Sequence, residues 1–214
     1  NFTQEISKEI GGVKLGLEFF LKYGIEGVKK IKKFGVPIFL DLKFNDIPNT
    51  VKKAAQNIIN LNPEFLTVHI SGGKNMLKEL VKVKNKTKII GVTMLTSLDR
   101  KDLKSFGINI SESTFVEKLT KVGFESGVDG VVSSPLEVKQ LRDKFGKKLI
   151  YITPGIRMAN DNNNDQKRLS TPGKAISDGS SLLVIGRTIT SSTNPINSIN
   201  KIIANIRSEI ESKN

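Results

Sequence analysis

Residues 37–50 read PIFLDLKFNDIPNT, an apolar start followed by charges and a proline. Ile38, Phe39 and Leu40 form a short apolar run of the kind found in a strand buried on both faces. Three charges follow, Asp41, Lys43 and Asp46, before Ile47-Pro48-Asn49 turns the chain into a helix. Asp41 and Lys43 are two apart, so on a strand they point to the same side. Opposite charges crowded at the end of an apolar strand are costly to desolvate, which points to chemistry more than to stability. A surface ion pair at a strand end is the plainer alternative.

The same strand-then-helix unit recurs on both sides. Upstream, residues 13–17 read as a strand with Lys14 interrupting its apolar character. A helix follows over 18–34, with Phe19, Phe20, Ile25, Val28 and Ile31 recurring on one face. Downstream come a helix over 49–60 with Val51, Ala54, Ala55 and Ile58 as its buried stripe, a strand over 65–70, and a helix opened by Gly72-Gly73. Further strands are expected at 88–95, 130–133, 149–153 and 182–185, and further helices at 112–126 and from 194 onward. Ser134-Pro135-Leu136-Glu137 has the spacing of a capping box with proline at the first helical position, and Thr171-Pro172 starts a short helix by the same logic. Such alternation implies a parallel sheet covered by helices. Seven strands from Val13 onward fit a (β/α)8 barrel whose first strand lies upstream of Asn1. An open doubly wound sheet is less well supported, since no G-x-G-x-x-G follows any strand. No composition shift divides the chain, so one domain over 1–214 is expected.

Composition narrows the chemistry. The 214 residues include 37% hydrophobic ones, enough for a proper core. No apolar run approaches the roughly 20 residues that span a bilayer, and no signal-like segment opens the chain, which suits a cytoplasmic protein. The absence of cysteine excludes disulfides, thiolate metal sites and cysteine nucleophiles. His69 is the one histidine, and at the end of an apolar strand it reads as a hydrogen-bonded core residue. The net charge of +13 raises a nucleic-acid reading, but the lysines are scattered along helices and aromatics are only 6%. Lysine-rich solvated faces explain the charge; no nucleic-acid or membrane partner is expected.

Barrel enzymes carry their active groups at the carboxyl ends of strands. That filter selects Lys14, Asp41, Lys43 and Asp46 early in the chain, then Thr96 and Ser97, Arg157 and Gln166, and Arg187. Sequential strands are neighbours, so Lys14 should stand beside Asp41 in an alternating row of Lys14, Asp41, Lys43 and Asp46. After the last two strands, Gly186 permits close backbone approach, Arg187 supplies a forked cationic donor and Gln166 a neutral one, a pattern suited to phosphate. The polar loop over 158–168 is long enough to act as a lid.

These residues bring a family into view. DLKFNDIPNT closely resembles the signature of the orotidine 5′-phosphate decarboxylase family. KLGLEFF at Lys14, VHISGG at Val68, GVTMLTS at Gly91, DGVVSS at Asp129, ITPGIR at Ile152, NDQKR at Asn164 and VIGR at Val184 resemble that family's segments in the same order, the bacterial form being the nearer match. The resemblance implies a cofactor-free, metal-free (β/α)8-barrel homodimer that converts orotidine 5′-phosphate to UMP. It implies Lys43 as the acid that protonates C6 as carbon dioxide leaves, Asp41 beside the substrate carboxylate, and Lys14 on the ribose. It also implies Asp46 and Thr50 reaching the partner's site, Thr96 on the pyrimidine, and Arg157, Gln166, Gly186 and Arg187 around the phosphate. A ribose-binding aspartate is expected on the strand upstream of Asn1. Two alternatives remain: a magnesium-dependent sugar-phosphate enzyme sharing the Asp-x-Lys-x-x-Asp core, and a non-enzymatic nucleic-acid binder.

Overall fold

The computed structural model describes residues 2–158 and 169–213. Packing divides the chain into two compact units, Asn1–Val92 with Lys121–Gly130 and Thr93–Thr120 with Val131–Asn214. Strands and helices alternate throughout, as in folds of the TIM-barrel type, and the seven strands expected from Val13 onward are all present.

The first unit contains helix α1 (Phe2–Ile6), strand β1 (Val13–Gly16), helix α2 (Leu17–Lys32) and strand β2 (Ile38–Phe44). Helix α3 (Pro48–Ile59), strand β3 (Phe65–His69), helix α4 (Lys74–Val81) and strand β4 (Lys88–Val92) follow. All neighbouring strands here pair in parallel: Gly16 lies opposite Asp41, Leu40 opposite Leu66, and Leu66 opposite Ile89. Leu40, Leu66, Ile89 and Ile90 are completely buried, as expected of parallel strands covered on both faces. The helices answer with Val51, Ala55, Ile58 and Ile59 on α3 and Met76, Leu77 and Leu80 on α4, all buried at helical spacing. Ala54, expected in that stripe, is only half-buried, and Ile59 takes its place.

Helix α2 departs from the expected single stripe. Val28 and Ile31 are buried, but Ile25 is exposed. Gly24 has φ 55° and ψ −156°, a region essentially reserved for glycine, and breaks the helix there. Spacing counted across the break therefore does not hold one face.

The second unit begins where Thr93 hydrogen-bonds the Val132 carbonyl through both its amide and its hydroxyl, at 3.4 and 2.8 Å. Helix α5 (Arg100–Ser105), unanticipated from the sequence, is fixed by a capping box in which Asp99 accepts from the Lys101 and Asp102 amides and Asp102 accepts from that of Asp99. Helix α6 (Glu112–Glu125), which passes from the second unit into the first at Lys121, leads to strand β5 (Gly130–Val132). Helix α7 (Val138–Phe145) starts later than the Ser134 capping box implied. The Ser134 hydroxyl donates to the Glu137 carboxylate, and the Glu137 amide bonds the Ser134 carbonyl at 3.2 Å. These contacts close a turn before the helix instead of capping its first turn.

Strand β6 (Ile150–Thr153) pairs in parallel with the short strand β7 (Leu182–Leu183). Between them, Thr171 caps helix α8 (Pro172–Ser177) as expected, with proline at its start. Helices α9 (Arg187–Thr190) and α10 (Pro195–Glu211) complete the unit, the latter capped by Asn194. Gly173 lets α8 approach α10 closely: its amide bonds Asn205 at 2.8 Å, and a Cβ there would meet the Asn205 carbonyl at 2.7 Å. Among the described residues no helix is long and apolar enough to cross a membrane.

Candidate active site

The charged group at the end of β2 lies within the first unit. Parallel pairing brings β1 alongside β2 with Lys14 opposite Phe39 and Gly16 opposite Asp41. The Lys14 side chain reaches along the strand end so that its Nζ lies 2.8 Å from Asp41 Oδ2. Lys43 Nζ lies 2.8 Å from the other oxygen, Oδ1. One carboxylate thus sits between two ammonium groups, each on its own oxygen. Asp41 is only 7% exposed, whereas both lysine side chains remain about one-third exposed, at 34% and 31%.

Burial pushes the Asp41 carboxyl toward its neutral form, but the charge and hydrogen bond of Lys14, and then those of Lys43, outweigh it. The net result is a pKa below the ordinary aspartate value, so Asp41 is ionised at neutral pH. His69, at the end of β3, is also lowered: by burial first and then by the Lys43 charge, with Asp41 opposing. It is therefore neutral at pH 7.

The backbone around Lys43 is irregular. Leu40 pairs with Leu66 and Phe44 with Val68, so Asp41, Leu42 and Lys43 together face Thr67 alone. Lys43 takes φ 49°, left-handed backbone that costs a non-glycine residue on the order of 1–3 kcal/mol. The bulge tilts the strand end, and the Lys43 amide finds its partner in the Thr67 hydroxyl at 2.8 Å instead of in a ladder carbonyl. Sequence reasoning missed Thr67. Its signal was faint, a polar residue in the middle of the apolar run FLTVHI.

Of the four charges expected in the row, the structure assembles Lys14, Asp41 and Lys43. Asp46 is exposed, accepts a hydrogen bond from the Ile47 amide at 2.6 Å, and makes no ion pair among the described residues. Thr50 is exposed on the first turn of α3. The remaining candidates belong to the second unit. Thr96 is half-buried in a turn after β4. Arg157 is buried, with its guanidinium on the Ile156 carbonyl at 2.8 Å and its amide on the Ser170 carbonyl at 3.0 Å. Gly186 is the N-cap of α9, and Arg187, its first residue, is exposed. Gln166 and most of the expected lid lie outside the described residues. No three His, Asp or Glu side chains converge as a metal site among the described residues.

Known proteins resemble the chain along most of its length. It is 48% identical over 194 residues to the orotidine 5′-phosphate decarboxylase of Sphingopyxis alaskensis, covering 90% of this chain and 86% of that one. It is 47% identical over 208 residues to the enzyme of the same name from Wolbachia pipientis, covering 96% and 92%. Among solved structures, orotidine 5′-phosphate decarboxylase from Lactobacillus acidophilus superposes with a TM-score of 0.82 at 36% identity, covering 94% of this chain and 92% of that one. A family model described as orotidine 5′-phosphate decarboxylase / HUMPS family matches residues 1–202, and the chain belongs to that family.

Proposed function

We propose that the chain decarboxylates orotidine 5′-phosphate to UMP without metal or organic cofactor. The observation that carries this reading is the Asp41 carboxylate clamped between Lys14 and Lys43 in a chain whose relatives bear that enzyme's name. In the proposed reaction the bond between C6 and the carboxylate carbon breaks, its electron pair stays on C6, and carbon dioxide departs. Lys43 Nζ stabilises that charge and gives C6 a proton; solvent then reprotonates the amine. Asp41 stands near the substrate carboxylate, a repulsion relieved as carbon dioxide leaves, and also keeps Lys43 in place. Lys14 binds the ribose while holding Asp41 ionised.

The phosphate end is assigned to Arg157, Gln166, Gly186 and Arg187 and the pyrimidine contact to Thr96, on the strength of the family motifs. Binding energy from a phosphate remote from C6 can hold the pyrimidine against the charges. The active species is taken to be a homodimer of (β/α)8 barrels in which Asp46 and Thr50 serve the partner's substrate. The exposure of both side chains supports this, since neither is used by its own chain's charge row.

An absorbance assay with orotidine 5′-phosphate, run with and without chelator, tests the reading. Turnover to UMP should be unchanged by EDTA. Loss of activity with EDTA, or turnover of a sugar phosphate in place of the nucleotide, would move the chain to the magnesium-dependent branch of its superfamily.

A further inference from the structure

Thr67 lies on β3 and is completely buried. A hydroxyl buried there must be hydrogen-bonded, and this one is used twice. It accepts from the Lys43 amide at 2.8 Å and donates to Asp41 Oδ1 at 3.1 Å. The same Oδ1 receives Lys43 Nζ at 2.8 Å, so Asp41, Lys43 and Thr67 form a closed hydrogen-bonded ring. The register explains why one residue does both jobs. Thr67 is the single β3 residue facing the three-residue bulge of β2, and the Lys43 amide bonds its hydroxyl in place of a ladder carbonyl. A buried amide without a partner costs about 1–3 kcal/mol, comparable to the strain of the left-handed Lys43 backbone.

We infer that Thr67 is a positioning residue for the proposed reaction: its hydroxyl holds the Lys43 backbone in the bulge and orients the Asp41 carboxylate between the two lysines. This rests on the proposed function for its catalytic consequence, but not for its geometry. A valine would keep the β-branched shape and remove both hydrogen bonds; a serine would keep both and remove only a methyl group.

Crystal structures and steady-state kinetics of Thr67→Val and Thr67→Ser test it. In Thr67→Val the Lys43 backbone should leave φ near 49° or the Asp41 carboxylate should turn from Lys43, and in Thr67→Ser both should stay. With orotidine 5′-phosphate, Thr67→Val should lose about 10- to 100-fold in kcat with KM changed much less, and Thr67→Ser should recover most of it. If Thr67→Val fails to fold, Thr67→Ser against Thr67→Ala isolates the hydroxyl, and their kcat values should differ at least about tenfold. An unmoved bulge and carboxylate in the valine variant overturn the inference, as does a serine-to-alanine ratio within about twofold. An inactive parent chain would defeat the proposed function instead, and the crystallographic comparison would still judge Thr67.

Discussion

Lys43 is the proposed acid, and its surroundings make its substitution informative. It carries the group assigned to protonate C6, while UMP, already protonated there, needs nothing from it beyond contact. Lys43→Ala should therefore keep UMP affinity within a few-fold and lose roughly 1,000-fold or more in kcat, since a positioned acid alone accounts for about 10²–10⁴ and the electrostatic loss adds to it. Equilibrium binding beside a decarboxylation assay measures both, and near-normal turnover would sink the mechanism. The titrating neighbours give a second prediction. Asp41 and His69 both have folded pKa values below their ordinary ones, so the folded state binds fewer protons than the unfolded state, and acid is destabilising through both. The His69 contribution is lost as pH falls from about 6.5 through its lowered folded value, and that of Asp41 only below about 3.9. Because His69 is the one histidine, a single imidazole signal in an NMR titration reads its environment. Its midpoint should lie below about 6.5 and rise in Lys43→Ala, where a repelling charge is gone; a midpoint unmoved by that substitution would contradict the arrangement. The sequence shows Asp41 and Lys43 as a pair through their spacing. It gives no sign that Lys43 occupies left-handed backbone, because nothing about a lysine announces positive φ.

At the scale of elements, agreement between sequence and structure is closest where one local rule decides the outcome. Thr171-Pro172 and Asn194-Pro195 start helices as side-chain caps with proline at the first position allow. The same rule fails at Ser134, where the hydroxyl donates to Glu137 and a turn precedes α7. It also succeeds unnoticed at Asp99, because an aspartate-to-aspartate box followed by Arg100 and Lys101 lacks an apolar run to draw attention to it. In helix α2 the outcome is decided by the backbone of one residue. Gly24 breaks the helix in a conformation other residues avoid, and a Cβ added there meets nothing within 4 Å. Any penalty of Gly24→Ala is therefore backbone strain, not a clash. The variant should lose about 1–3 kcal/mol of unfolding free energy by urea denaturation with kcat unaltered. An equally stable variant would show that the break is not required by the packing of Val28 and Ile31.

Across the whole molecule, the order of strands and helices was the most legible property, because most strands are short, mainly apolar stretches set between polar or turn-forming residues. Its positive charge was legible as well, and many of its lysines are spent on surface carboxylates, exposed as in Lys29 with Glu26 and Lys74 with Glu125 or half-buried as in Lys144 with Glu117. Such pairs contribute about 0–1 kcal/mol each and spread the charge instead of gathering it into a binding face. The proposed homodimer would draw on the surface at the start of α3. Asp46 and Thr50 flank Ile47, whose large apolar side chain is 68% exposed, so a family signature ends on a surface with charged, hydroxyl and apolar groups side by side. If that surface serves a partner's substrate, Lys43 and the Asp46 acting on the same substrate come from different chains. Mixing Lys43→Ala with Asp46→Ala then creates heterodimers in which one site carries both defects and the other carries neither. Random exchange at equal ratio makes half the dimers mixed, so turnover should recover to about a quarter of the parent value per subunit. Each variant alone stays inactive, and recovery should track the heterodimer fraction measured by native mass spectrometry. Verified exchange without recovery would return Asp46 to its own chain, where it accepts a hydrogen bond from the Ile47 amide just before α3.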